Sequence, residues 1–125
     1  MRIMLADHRS RVRFAMRALL EQRPGLNIVG EVADAKSLMA QVGLACPDLL
    51  LLDWKLRGMA VDGLLSLRRA CPGMRVIALS GRPEERGAAL DAGVDAFVSK
   101  VDSPERLLAT IDNYSGGISN VYNAE

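Results

Sequence analysis

The chain has 125 residues, the usual size of one domain with a single core, and its balance of half hydrophobic to one quarter charged residues excludes disordered and fibrous classes. With 16 Lys and Arg against 15 Asp and Glu, a net charge of +1, no global field draws it to nucleic acid or to an anionic membrane. No apolar run approaches the ~18 residues that span a bilayer, and the start at Met1–Leu5 has neither the length nor the small-residue cleavage site of a signal peptide. We therefore expect a cytoplasmic protein with one domain at residues 1–114. Residues 115–125 are expected to be a flexible tail or the start of a linker.

The first predicted strand is the apolar run Arg2–Ala6, which ends at Asp7 beside the chain's one histidine, His8. Val12, Met16, Leu19 and Leu20 then share one face of a first helix. Arg9, Arg13 and Arg17, four residues apart, form a basic stripe on it, either a solvated face or a docking patch for an acidic partner. Asn27–Val32 reads as the second strand, and Leu38 and Val42 share a face of the second helix. The third strand, Asp48–Asp53, ends an all-leucine run in an acid. Trp54 follows it, placed either to guard that strand end or to cover the third helix, which Leu64, Leu65 and Leu67 mark. Arg75–Leu79 is the fourth strand, ending at Ser80-Gly81. The fourth helix, about Pro83–Ala92, is alanine-rich and stops at Gly93, a natural left-handed cap. Ala96–Ser99 is the fifth strand and runs into Lys100. The last helix has Ser103 as N-cap, Pro104 at the first helical position, Glu105 at the positive end of the dipole, and Leu107, Leu108 and Ile111 as its apolar stripe. Cys46 and Cys71, each before a proline near a helix end, are expected to be buried reduced thiols, as is usual in a cytoplasmic chain.

Mostly continuous apolar strands alternating with amphipathic helices imply right-handed crossovers and a parallel sheet coated on both faces. Such sheets bind ligands outside the carboxyl ends of their strands. Those ends carry Asp7-His8, Asp53, Ser80 and Lys100, so two carboxylates, a hydroxyl and an ammonium are expected to meet on one edge.

At these residues the chain resembles, along nearly its whole length, a receiver domain of a two-component response regulator. PDLLLLD (Pro47–Asp53) resembles the strand carrying the phosphoacceptor aspartate, and IALSG (Ile77–Gly81) the strand carrying the switch hydroxyl. AGVDAFVSK (Ala92–Lys100) resembles the segment with the aromatic switch residue and the lysine, and VDSPERLLATI the opening of the last helix. The spacing of VRFAMRALLEQ after the first acid resembles receivers of the LuxR-like class; no helix-turn-helix segment follows it within the 125 residues.

The resemblance implies a flavodoxin-like, doubly wound five-stranded parallel sheet in the order 2-1-3-4-5 with five helices. It implies that Asp53 accepts a phosphoryl group from a sensor histidine kinase or a phosphotransfer protein, with Lys100 as fixed positive charge and Ser80 as the hydroxyl that binds the acquired group. Phe97 is then the aromatic switch, and the signal leaves through the face of the fourth helix, fifth strand and fifth helix, by dimerisation or by engaging an effector. The domain itself is expected to bind neither nucleic acid nor membrane, and to be no enzyme beyond self-directed phosphoryl transfer. It further implies a Mg2+ site built from Asp7, Asp53 and the main-chain carbonyl of Lys55.

Two departures from the family pattern bear on that site. The family's second acid is His8 here, and imidazole serves Mg2+ poorly, so metal binding is expected to be weakened or lost. His8 is read in three ways: a strand-end residue without a task, a hydrogen-bond partner for Asp7 or Asp53, or a ligand for a softer metal. The loop after Asp53 is lengthened and carries Arg57 where proline is usual, so that Lys55 or Arg57 becomes a candidate internal cation beside Asp53. The alternative to a phosphorylated receiver is a pseudo-receiver, an interaction module that works without phosphoryl chemistry.

Overall fold

The computed structural model describes residues 1–56, 58, 59 and 62–115. Five strands, β1 (Arg2–Ala6), β2 (Asn27–Val32), β3 (Leu49–Asp53), β4 (Arg75–Ser80) and β5 (Ala96–Ser99), pair in parallel in the order β2-β1-β3-β4-β5. Helices α1 (Ser10–Leu20), α2 (Ala35–Ala45), α3 (Gly63–Ala70), α4 (Arg86–Asp91) and α5 (Pro104–Ser115) connect and follow them. The alternating pattern gave the parallel sheet, and the strand order is the flavodoxin-like one that the resemblance implied.

The leucine run of β3 shows why its strand is continuously apolar. Side chains alternate across a strand. Leu50 and Leu52 join Met4, Ala6, Val76 and Ala78 under α2, α3 and α4, where Leu38, Val42, Leu64, Leu67 and Ala89 close the layer. Leu49 and Leu51 join Ile3, Leu5, Ile77 and Val98 on the other face, against Met16 and Leu20 of α1 and Leu107, Leu108 and Ile111 of α5. Burying each such leucine is worth about 1.5–3 kcal/mol. A residue with a polar outer face has no place in that strand until it ends.

Local details differ from expectation in instructive ways. Leu65 is 52% exposed, because it follows Leu64 directly and so lies about 100° around the helix from the buried stripe of Leu64 and Leu67. Asp48 precedes β3 instead of opening it, and its carboxylate accepts the Arg2 N–H at 2.8 Å. Pro83–Glu85 forms a short 3-10 turn before α4. Gly93 has φ of +107°, the left-handed stop expected of it.

The two cysteines correct the reading of reduced thiols. Cys46, at the left-handed end of α2 with φ of +38°, is disulfide-bonded to Cys71 at the end of α3. Both helices finish at the amino-terminal edge of the sheet, which brings the two caps together although 25 residues separate them. Closing a loop of that length stabilises the fold by about 3.5 kcal/mol on chain-entropy grounds. Adding reductant is therefore expected to shift the urea midpoint down by that equivalent, with no shift in a Cys46→Ser, Cys71→Ser double variant.

Strand register sets up the opposite edge. Ala6 pairs with Leu52, so Asp7 and Asp53 stand side by side one residue later. Ser80 pairs with Ser99, and the Lys100 N–H donates to the Ser80 carbonyl at 2.7 Å. Among the described residues, no helix is long and apolar enough to cross a membrane.

Candidate functional site

Four side chains from four strand ends meet at this edge as expected. Asp7 is fully buried, Asp53 is 4% and Ser80 2% exposed, while Lys100 is 18% and His8 39% exposed. A pocket of about 340 Å³ opens above them, lined by His8, Asp53, Lys55, Ser80, Glu85 and Lys100 among others.

Lys100 Nζ lies 2.8 Å from Asp7 Oδ2 and 3.3 Å from Asp53 Oδ1. Two buried carboxylates so close repel each other, and a shared ammonium is what makes both tolerable. Burial pushes the Asp7 carboxyl up, but hydrogen bonds from Lys100, from the Arg9 N–H and from the Arg9 guanidinium outweigh it and hold Asp7 below the usual carboxylate range. At Asp53, Oδ1 accepts the Lys55 N–H at 3.1 Å. Its Oδ2 is buried without a hydrogen-bond partner. His8 Nδ1 stands 3.4 Å from that oxygen and 3.9 Å from Asp7 Oδ1. His8 thus stands at the exposed rim of the site with Nδ1 turned toward both acids.

The Ser80 hydroxyl donates to the Glu85 carboxylate, whose other oxygen pairs with Lys55 Nζ at 2.7 Å. Lys55 and Ser80 hold the Glu85 carboxyl below its ordinary value. Glu85 was not among the residues singled out from sequence. The short turn that opens at Pro83 carries this acid, five residues after Ser80, back toward the serine, the Glu85 N–H donating to the Arg82 carbonyl at 3.0 Å. The Lys55 ammonium, a candidate internal cation for Asp53, pairs with Glu85 instead. Arg57, the other candidate, lies outside the described residues.

The remaining predicted residues fall as follows. Phe97 is buried under α4 with Ala78 and Ala89, facing inward. Trp54 is partly buried and packs against the core layer to which Leu38, Val42, Leu64 and Leu67 belong. The arginine stripe is engaged within the chain: Arg9 with Asp7, Arg13 and Arg17 with Glu31 of β2. Arg13 Nη1 also donates to the Asp7 carbonyl at 2.6 Å, bracing the strand end.

Comparison with known proteins agrees with this geometry. The family model described as response regulator receiver domain matches residues 3–112. The nitrate/nitrite response regulator protein NarP of Escherichia coli is 34% identical over 112 residues, covering 87% of this chain and 52% of NarP. Response regulator protein VraR of Staphylococcus aureus is 27% identical over 121 residues, 94% of this chain and 58% of VraR. The chain thus spans about half the length of these relatives. Among solved structures, a LuxR-family two-component response regulator from Aurantimonas superposes with a TM-score of 0.83 at 29% identity, covering 93% of this chain and 85% of that one. The isolated receiver domain of RcsB from Salmonella enterica, solved in the presence of the phosphomimetic BeF3-, gives 0.79 at 25% identity, covering 90% and 88%. With the match running from β1 through α5 and the acids, hydroxyl and lysine gathered at one edge, the chain belongs to the receiver-domain family of two-component response regulators.

Proposed function

We propose that Asp53 is the phosphoacceptor of a cytoplasmic signalling domain that takes its phosphoryl group from a sensor histidine kinase or a phosphotransfer protein. One observation carries this reading: a buried carboxylate with an unpartnered oxygen, sharing a lysine with a second acid beneath an open pocket. In the transfer, the Asp53 carboxylate attacks phosphorus, the bond from phosphorus to the donor imidazole breaks, and its electron pair leaves with that imidazole. Charge building on the equatorial oxygens needs fixed positive partners, and Lys100 is already held in place for it by Asp7.

The family implies a divalent cation here. Asp7 and Asp53 offer the oxygens for one, but the imidazole of His8 is a poor Mg2+ ligand, so Mg2+ binding is weak. When bound, a cation neutralises phosphoryl charge that lysine alone does not reach.

The acquired group brings close to two negative charges. Ser80 is the nearest hydroxyl to receive it, but its proton is committed to Glu85. Glu85 thus stands where a phosphoryl oxygen belongs, held by the same hydroxyl and by Lys55, and phosphorylation displaces it. The 3-10 turn moves with it. Arg86, next in sequence, donates to the Phe97 carbonyl at 3.4 Å, so the motion reaches β5 and the surface formed by α4, β5 and α5. Signalling through that face, to a second copy or to an effector, follows from the linkage.

Incubation with a small acyl phosphate, followed by intact mass and peptide mapping, tests the reading. An adduct on the Asp53 peptide is expected. In Glu85→Ala it is expected to form about tenfold faster, because a charge-assisted hydrogen bond worth about 1.5–3 kcal/mol no longer competes for Ser80. The prior commitment of Ser80 to Glu85 also favours a second reading, a pseudo-receiver that binds partners without phosphoryl chemistry. No adduct in either protein, with or without divalent cation, would establish it.

A further inference from the structure

The two carboxylates divide their oxygens. Lys100 takes Asp7 Oδ2 and Asp53 Oδ1, while Asp53 Oδ2 and Asp7 Oδ1 face His8 Nδ1, the latter also accepting the Arg9 N–H at 2.9 Å and Arg9 Nε at 3.3 Å. From these three residues, donor atoms that all lie within 4.8 Å of one another can be drawn. Ligands at about 2.0–2.1 Å from a tetrahedral ion stand about 3.3 Å apart. The 3.4 Å between His8 Nδ1 and Asp53 Oδ2 fits that edge. The 3.9 Å to Asp7 Oδ1 closes with a small rotation of the half-exposed imidazole. Asp53 Oδ2, buried and without a hydrogen bond, is aimed into this space.

We propose that Asp7, His8 and Asp53 form a site for a borderline divalent cation of the zinc type, preferred over Mg2+ because one of its three donors is nitrogen. A hard cation that dehydrates reluctantly gains little from imidazole, whereas zinc and cobalt bind imidazole well. Three protein ligands is also the number at which zinc sites keep one position open, toward the pocket here. The inference rests on the pocket assigned above but not on phosphoryl transfer. The chain suits a clean test, since it has one histidine and its two cysteines are bonded to each other, so no thiolate or second imidazole competes for the ion.

The chelator-treated, oxidised chain is titrated with Zn2+, Co2+ and Mg2+, followed by calorimetry, by the fluorescence of Trp54 and by the visible absorption of Co2+. One equivalent of Zn2+ is expected, bound at least tenfold more tightly than Mg2+, with a cobalt spectrum that vanishes in His8→Ala. His8→Asp is expected to reverse the order, lowering Zn2+ affinity and raising that for Mg2+ about tenfold. Zinc binding unchanged in His8→Ala, or Mg2+ bound as tightly as Zn2+ by the native chain, overturns the proposal. The readouts separate it from the phosphoacceptor reading: an acyl-phosphate adduct without zinc binding sinks only the metal site, and zinc binding without an adduct sinks only the phosphoacceptor.

Discussion

Lys100→Met is expected to lower stability by about 3–5 kcal/mol at pH 7, a drop of roughly 10–20 °C in thermal midpoint, because it strands two buried carboxylates without their shared cation. Neither acid has another ammonium within reach among the described residues, and Arg9, which touches Asp7 at 3.3 Å, is half exposed and screened. The pH dependence gives the loss its signature. Asp7 is held below its ordinary value in the fold, so its contribution is present above about pH 4, where the unfolded chain has ionised, and disappears as pH falls through the lower folded value. Removing Lys100 removes the main hydrogen bond that depresses it. The deficit of the variant is therefore largest at neutral pH and shrinks as pH falls and Asp7 becomes protonated, since the neutral acid no longer needs a partner. A deficit independent of pH in urea melts would mean that Lys100 acts through packing alone. Lys100→Arg keeps the charge and folds, but its fork does not match the single point between the two acids, so adduct formation is expected to fall about a hundredfold while most stability returns.

Asp53→Asn is expected to abolish the phosphoryl adduct and yet raise stability by about 1–2 kcal/mol at pH 7. The effects oppose each other and their sizes decide the sign. Against the substitution stands the lost attraction to Lys100 at 3.3 Å. In favour stand relief from the neighbouring Asp7 and the desolvation of a charge that is 4% exposed, one oxygen of which makes no hydrogen bond. An unmade buried bond costs about 1–3 kcal/mol, and more when the group is charged. Asparagine keeps an acceptor for the Lys55 N–H and releases Lys100 wholly to Asp7. A less stable Asp53→Asn protein would show that the acid is a structural element and not a strained one kept for its chemistry.

The positions of the five strands, and the strand-end residues Asp7, Asp53, Ser80 and Lys100, were legible in the chain because they rest on local rules. A run such as Leu49–Leu52 is buried on both faces wherever it sits, and an acid, hydroxyl or lysine following such a run must emerge at its carboxyl end. The resemblance to receivers then assigned roles to Asp53, Ser80, Lys100 and Phe97 that periodicity alone does not supply. Three features were not legible. The disulfide depends on two helix ends meeting across the sheet, a distance that sequence spacing does not encode, and compartment logic pointed the other way. The pairing of Arg13 and Arg17 depends on Glu31, an acid of the next strand that helix periodicity does not bring beside them. The engagement of Ser80 and Lys55 by Glu85 depends on the path of one turn. The sequence by itself determined which residues reach the edge, since burial and periodicity are local; only the tertiary structure decided which oxygen, nitrogen and hydroxyl face one another there, since pairing is set by register and turn geometry to within a fraction of a bond length.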